Sequence, residues 1–357
     1  MSDPAGLRLE PLRDWFTANI EGFDSSQDLT AQLLAGGRSN LSYRMSAGAR
    51  QYVLRRPPLG NIMPSAHDMQ REFKVLSGLG RVGFPVPQAL GLCTNDEVIG
   101  ASFMVMDFVN GRSIADQHEA RTLTTSQADT ISRNLVTTLS QLHKTDVHTA
   151  ELADLGRPQG YLQRQAKRWG EQWEITKTRE LPEIVELHQW LTSALARLSE
   201  NLPTSLVHGD YRIDNVILDT DSFDIKAVLD WEMSTLGDPI SDLAISLVYW
   251  SRATDTFRAD IPVAEHVTDG QGFWDRSQLI DEYVNLTNFS VEHLDECVAL
   301  ACFKLAVIME SIHKRNLAGL QLGAASGEGS RMSDAAVSLT RMGLATIDSG
   351  ALHALNS

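Results

Sequence analysis

The chain has 357 residues, 43% of them hydrophobic and 22% charged, a balance that excludes a disordered or collagen-like polypeptide. Its 31 basic and 46 acidic residues give a formal charge of -15, which argues against nucleic acid or an anionic membrane as a general partner. At this length two packed lobes are expected rather than one core.

The N-terminal sequence MSDPAGLRLEPLRDW lacks the basic, apolar and small-residue regions of a signal peptide. The most apolar late stretch, Cys297 to Met309, is interrupted by Lys304 and is too short for a membrane span. Cys93, Cys297 and Cys302 have no disulfide or metal-ligand spacing, so free thiols in a cytoplasmic protein are expected.

In chain order, residues 28 to 56 predict three short strands, DLTAQLLAGG, LSYRMSAG and QYVLRR, separated by Gly-Gly and Ala-Gly-Ala turns. Pro57, Pro58 and Gly60 end this meander. Met69, Phe73, Leu76 and Leu79 then recur at helical spacing, predicting a helix over Ser65 to Leu79 with Ser65 as its N-cap. The segment from Ala31 to Arg81 holds eight basic residues against Asp68 and Glu72, which points to local handling of an anion such as phosphate or to a solvated basic face. Val98 to Val109 predicts a further strand that ends at Asn110-Gly111.

From Ser113 the pattern turns helical. Helices are expected over Thr124 to Lys144, Gly160 to Thr178 and Pro182 to Asn201; Trp169 and Trp173, one turn apart, read as packing residues. Strand-like Asn215 to Leu218 and Ala227 to Leu229 bracket the polar turn DTDSFD. Helices return at Pro239 to Trp250 and dominate the remainder, with a Gly/Ser-rich loop at Gly323 to Ser330.

The chemistry concentrates around that hairpin. In HGDYRIDN, Asp210 stands five residues before Asn215, and Asp230 of LDWE follows 20 residues after Asp210. Phosphoryl transfer needs this layout: a carboxylate to orient or deprotonate the attacking hydroxyl, and oxygen donors for the Mg²⁺ that bridges the ATP phosphates. Asp210 fits the first role, Asn215 and Asp230 the second. His208 has no partner at metal-ligand spacing and is expected to hold the loop through hydrogen bonds; a zinc site is not expected.

HGDYRIDNVILD and AVLDWEMSTLGDPISDLA resemble the catalytic and metal-binding signatures of the aminoglycoside phosphotransferase-like kinases, a family that also includes choline, homoserine and fructosamine kinases. The resemblance covers most of the chain. It implies an α+β, protein-kinase-like fold with a small β-rich N-terminal lobe over residues 1–109 and a large helical C-terminal lobe over 110–357. It also implies ATP and Mg²⁺ as cofactors and a small-molecule hydroxyl as phosphoryl acceptor. Asp238 and Asp242 are expected to be a helix-start and a loop-fixing residue.

Where the family places a phosphate-positioning lysine on the third strand, YVLR has Arg55, and Glu72 is its implied helix partner. An arginine presents a planar fork instead of a compact ammonium. The loop AGGRSNLSYR lacks GxGxxG, but Ser39, Asn40 and main-chain N–H groups could hold phosphate oxygens. FMVMDFVNG resembles the family's linker, in which the Asp107 carbonyl and Val109 N–H would bond the adenine edge.

VLRRPP, AHDMQREFKVL, LGRPQGYLQRQAKRWGEQWE and ACFKLAVIMESIHKRNLAG are similar to one subgroup, kinase domains found alone in bacteria or joined to acyl-CoA dehydrogenase-like domains. That subgroup implies hydroxyacyl acceptors, as coenzyme A thioesters, with Arg164, Lys167 and Arg168 as candidate anion contacts. An antibiotic or sugar kinase of the same fold and a catalytically silent nucleotide-binding pseudokinase stay open beside it, although Asp210, Asn215 and Asp230 are all present.

Overall fold

The structure is a computed structural model that describes residues 3–34, 40–59, 68–199, 201–258, 261–262, 266–319 and 328–356. The chain begins with α1 (Leu9–Asn19), β1 (Leu29–Leu33), β2 (Leu41–Ala47), β3 (Arg50–Arg56), α2 (Met69–Arg81), β4 (Ala89–Cys93) and β5 (Phe103–Asp107). It continues through α3 (Gln117–Ala120), α4 (Thr125–His143), α5 (Tyr161–Thr176), α6 (Pro182–Leu195), β6 (Ser205–Val207), β7 (Val216–Leu218), β8 (Ile225–Val228) and β9 (Thr235–Gly237). The last elements are α7 (Pro239–Tyr249), α8 (Arg276–Thr287), α9 (Leu294–Leu317), α10 (Glu328–Ser349) and α11 (Ala351–Leu355). Two compact units result: Met1–Gly111 with His148–Leu152 and Lys226–Glu232, and the remainder.

The first unit is built on a five-stranded antiparallel sheet in the order β1-β2-β3-β5-β4. Side chains alternate along β3: Tyr52 and Leu54 are buried, whereas Val53 and Arg55 lie on the other face. The first face packs Leu12 and Phe16 of α1 against Tyr43, Tyr52, Leu54 and Phe103. On the second face Arg55, opposite Ser42 and Met104, meets Glu72 of α2. The N-cap of α2 is Asp68, whose side chain accepts from Arg71 N–H; the expected cap, Ser65, lies outside the described residues. Gly78 on α2 lets the Ala150 carbonyl come within 2.5 Å of where a Cβ would stand, which admits the segment His148–Leu152.

The strand expected from Val98 is shorter, because Asn95 to Gly100 forms a turn in which Gly100, at φ +83°, donates to Asp96.

In the second unit α9 runs through the helical core and contacts α5, α6, α7, α10 and α11. α4 begins with a capping box between Thr124 and Gln127. The helix expected to reach Asn201 stops at Leu195, where Arg197 N–H turns back to Ala194. The expected loop at Gly323 to Ser330 falls mostly outside the described residues, and its last three residues begin α10. β6 and β9 pair antiparallel, with Val207 opposite Thr235 and Ser205 opposite Gly237, so one short ladder leads into His208 and the other strand into Asp238. Among the described residues no helix is long and apolar enough to cross a membrane.

Candidate active site

In the first unit, four predicted or neighbouring residues converge on one guanidinium. Arg55 Nη1 lies 3.0 Å from Glu72 Oε1, and its Nη2 lies 2.5 Å from Asp230 Oδ1 and 3.4 Å from Glu232 Oε2. Asn40 Nδ2 donates to the same Glu232 oxygen at 3.0 Å. One guanidinium against three carboxylates leaves a formal charge of 1 − 3 = -2 when all are ionised. Burial, offset in part by Arg55, and the charges of Asp230 and Glu232 push Glu72 up to about 7. Burial opposes the charge on Arg55, but Glu72 and Asp230 outweigh it and hold its pKa above the ordinary value.

Three buried polar atoms here have no hydrogen-bond partner among the described residues: Asn40 Oδ1, Arg55 Nε and Glu72 Oε2. Two of them are acceptors in an already anionic cluster, an arrangement that favours a cation; Arg55 Nε is a spare donor. Asp230 itself sits at φ +66°, a left-handed conformation that Asp tolerates better than most residues and that recurs at functional sites. Trp231 anchors it from the next position, fully buried, with its indole N–H on the Val228 carbonyl and its ring edge-on to Phe84.

In the second unit, Asp210 and Asn215 meet on one loop. Asn215 Nδ2 donates to the Asp210 carbonyl at 2.9 Å and to Asp210 Oδ2 at 3.2 Å. Both partners are acceptors, so the amide nitrogen must face them and the amide oxygen must face away. Arg212 Nε reaches the same Asp210 oxygen at 3.2 Å, while its Nη1 pairs with Asp214 Oδ2 and its guanidinium lies 5.2 Å over the Tyr249 ring. The Tyr249 hydroxyl also bonds Asp210 and is pushed well above its usual pKa, first by burial and then by the Asp210 charge.

The loop is held from beneath by α7. Asp242 accepts from His208 N–H at 2.5 Å and Gly209 N–H at 2.7 Å, and His143 Nε2 lies 3.3 Å from it. Burial works against the charge on Asp242, yet His143 and the Gly209 N–H outweigh it and hold the carboxyl below the usual range. His208 Nδ1 accepts from Asp210 N–H at 3.1 Å, so its ring is used in the loop as expected. Gly209 has φ +85°, and a Cβ there would stand 2.9 Å from the Met233 carbonyl; no other residue fits without a shift. Asp238 caps α7 by accepting from Ile240 N–H.

Ser39 lies outside the described residues, as does the rest of the first half of AGGRSNLSYR; Asn40 is buried and Leu41 begins β2. Asp107 ends β5 and donates its N–H to the Gln88 carbonyl; Phe108 follows with its ring under the Arg44 guanidinium, and Val109 is half-buried. Of the candidate anion contacts, Arg164 donates to the Gln159 and Arg157 carbonyls at the start of its own helix, and Lys167 is exposed beside Glu171. Lys167 and Glu171 line a groove of about 510 Å³ along α5 and α6 that contains none of the chemistry-bearing residues above.

Asp238, His293 and Cys297 form a buried group whose ligand-type atoms lie within 4.8 Å of one another. His293 Nε2 sits 2.8 Å from Asp238 Oδ2, and the other Asp238 oxygen caps α7, so this carboxylate is spent on tying two helix starts together.

The sequence matches the family model of the phosphotransferase enzyme family over residues 30–278. The chain belongs to this family. Among curated proteins it is 34% identical over 327 residues to rat acyl-CoA dehydrogenase family member 11, covering 87% of this chain and 40% of that protein. It thus spans well under half the length of that relative. A protein from Ralstonia eutropha described as a candidate aminoglycoside phosphotransferase superposes with a TM-score of 0.79 at 28% identity, over 96% of this chain and 98% of the other. The spectinomycin phosphotransferase solved with ADP and spectinomycin superposes at 0.62 over 96% and 99% of the two chains; at 11% identity it shows the fold alone. The family, the link to acyl-CoA dehydrogenase family members and the α+β kinase-like fold expected from the motifs are therefore established for this phosphotransferase.

Four residues of the two clusters were not singled out in the sequence: Glu232, Arg212, Asp214 and Tyr249. Glu232 stood in the quoted LDWE, where a second carboxylate two residues after Asp230 was the available signal. Arg212 and Asp214 stood inside HGDYRIDN. Tyr249 gave none, since a tyrosine at the end of an apolar helix reads as core.

Proposed function

We propose that this phosphotransferase is an ATP- and Mg²⁺-dependent cytoplasmic kinase that phosphorylates the hydroxyl of a small acyl compound, with hydroxyacyl-coenzyme A thioesters as the acceptor class. The observation that carries the reading is the Asp210–Asn215 pairing, which turns a carboxylate and an amide oxygen to separate tasks on one loop. Residues 1–109 act as the nucleotide lobe and 110–357 as the acceptor lobe.

Asp210 accepts the proton of the attacking hydroxyl. Arg212 and Asn215 both hold its Oδ2, which fixes the carboxylate. Asp230 and Asn215 are the residues that would hold Mg²⁺, which when bound supplies charge neutralisation along the phosphates. The residues fit such an ion: they are hard oxygen donors, and the Arg55 cluster carries excess negative charge with an unpaired Glu72 oxygen. Arg55, braced by Glu72, offers its spare Nε–H to a phosphate oxygen, and Ser39 and the second amide hydrogen of Asn40 add donors. The Asp107 carbonyl and Val109 N–H bond the adenine edge. The resemblance to the acyl-CoA dehydrogenase-linked subgroup supports the acceptor class.

The test is ADP release with Mg·ATP and a panel of hydroxy acids, hydroxyacyl thioesters, sugars and aminoglycosides. Stimulation by the thioesters is expected. Efficient use of an aminoglycoside or sugar, with the thioesters ignored, would replace this acceptor class, and a protein that binds Mg·ATP and uses none of them would be a pseudokinase.

A further inference from the structure

We infer that Lys304 and Trp169 form a donor pair that holds an acyl oxygen of the acceptor, a carboxylate or a thioester carbonyl, beside Asp210. The inference rests on Asp210 being the residue that meets the acceptor hydroxyl.

Helix α9 is apolar along most of its length, and Lys304 interrupts it at its middle. The ammonium comes out at the catalytic loop, where Nζ donates to the Gly209 carbonyl at 2.5 Å, one residue before Asp210. An ammonium has three donors and no acceptor. Besides Asp210 and Asp242, whose charges reach it, its neighbours offer little to bond: the Trp169 ring, whose centroid lies 5.8 Å from Nζ, and the like charge of Arg168, whose own guanidinium lies 5.9 Å from the same ring. Burial pushes the Lys304 pKa down, with Asp210 and Asp242 acting in the opposite direction. The residue as a whole is nonetheless only half-buried.

Trp169 supplies the second, independent observation. Its ring is 8% exposed, and its indole Nε1–H is buried with no hydrogen-bond partner among the described residues. Native structures rarely leave such a donor unpaired, and an unpaired one at a site points to a ligand or water that completes it. Lys304 and Trp169 can only donate, and Arg168 adds positive charge, so the missing group is an oxygen acceptor with full or partial negative charge. A carboxylate or a thioester carbonyl offers the lone pairs that such donors take. The Lys304 and Arg168 charges would repel a polycationic aminoglycoside. The tryptophan that reads in the sequence as packing therefore carries the recognition chemistry.

The experiment uses the purified full chain and three acceptors: 4-hydroxybutyrate, 4-hydroxybutyryl-coenzyme A and butane-1,4-diol, which keeps the hydroxyl and lacks the acyl oxygen. ADP release is measured for wild type, Trp169→Phe, Lys304→Met and Lys304→Arg, with melting curves for each. Wild type is expected to prefer the acyl compounds to the diol. Trp169→Phe and Lys304→Met are each expected to reduce that preference by about tenfold or more, since a hydrogen bond to a charged or polarised group is lost. The loss should fall on the acceptor KM and not on the KM for ATP, and Lys304→Arg should recover part of it. A greater loss for the free acid than for the thioester in Lys304→Met identifies a carboxylate as the bound oxygen; equal losses identify a carbonyl. If Lys304→Met fails to fold, Trp169→Phe, which keeps an aromatic ring in the site and removes the indole N–H together with the pyrrole half of the ring, decides the matter, with its melting curve separating lost packing from lost recognition. A preference that survives both substitutions, or a loss confined to the KM for ATP, overturns the inference alone. A wild type that binds Mg·ATP yet ignores both acyl compounds overturns the proposed acceptor class together with it.

Discussion

Asn215 grips Asp210 twice, once at the main-chain carbonyl (2.9 Å) and once at the carboxylate (3.2 Å). This single amide sets the orientation of the carboxylate and of its own oxygen. Replacing either residue should therefore disturb different steps of one reaction.

For Asp210→Asn, transfer to the acceptor should fall by about 10²- to 10⁴-fold, the usual cost of losing a general base. The side chain keeps its shape and Arg212 keeps an oxygen partner, so Mg·ATP affinity measured by calorimetry should hold within a few fold. Wild-type turnover in the variant would remove Asp210 from the mechanism.

Asn215→Ala and Asp230→Asn should both raise the Mg²⁺ concentration needed for half-maximal activity. Asp230→Asn should do more, because it deletes a formal charge as well as changing a ligand, and asparagine tolerates the φ of +66° at this position. Full activity of wild type in excess chelator would defeat the metal assignment.

What could be read from the sequence was local. HGDYRIDN and LDWE are each short contiguous stretches, so the residues each brings together could be picked out by spacing alone, and Asp242 and Asp238 act as the loop-fixing and helix-start residues expected of them. The contacts that complete the clusters join residues far apart in the chain: Asn40 meets Glu232 and Lys304 meets Gly209, pairings that periodicity and spacing do not encode. Helix α1 escaped for a different reason. It buries only Leu12 and Phe16 and has no side-chain N-cap, so its signal is weak until the sheet face against which it packs exists.

Glu72 makes the stability of the protein depend on pH in a way opposite to an ordinary paired carboxylate. Its pKa rises from 4.5 to about 7 on folding, so between these values the folded chain keeps a proton that the unfolded chain releases. Stability should accordingly fall as pH rises through this window, by on the order of 3 kcal/mol in total, with the loss complete above pH 7. Chemical denaturation in chelator from pH 5 to 8 should show the decline in wild type and a flatter profile in Glu72→Gln. Equal slopes in the two proteins would mean that Glu72 is ionised in the fold throughout.

Asp242→Asn should be among the more destabilising single changes, costing about 2–4 kcal/mol. The carboxylate accepts two main-chain N–H groups and faces His143, and an amide can satisfy only part of that set. Because the same bonds hold His208 and Gly209, activity should fall even where the variant remains folded. An unchanged melting temperature would show that the loop is held by other means.

The acceptor class is decided by transfer of label from γ-³²P-labelled ATP to 3-, 4- and 5-hydroxyacyl-coenzyme A, with hygromycin B, spectinomycin and simple sugars as competing acceptors. A labelled phosphooxyacyl thioester is expected, its formation requiring Mg²⁺ and disappearing in Asp210→Asn. Label found on an antibiotic or sugar, with every thioester unmodified by a protein shown to bind Mg·ATP, would contradict that class.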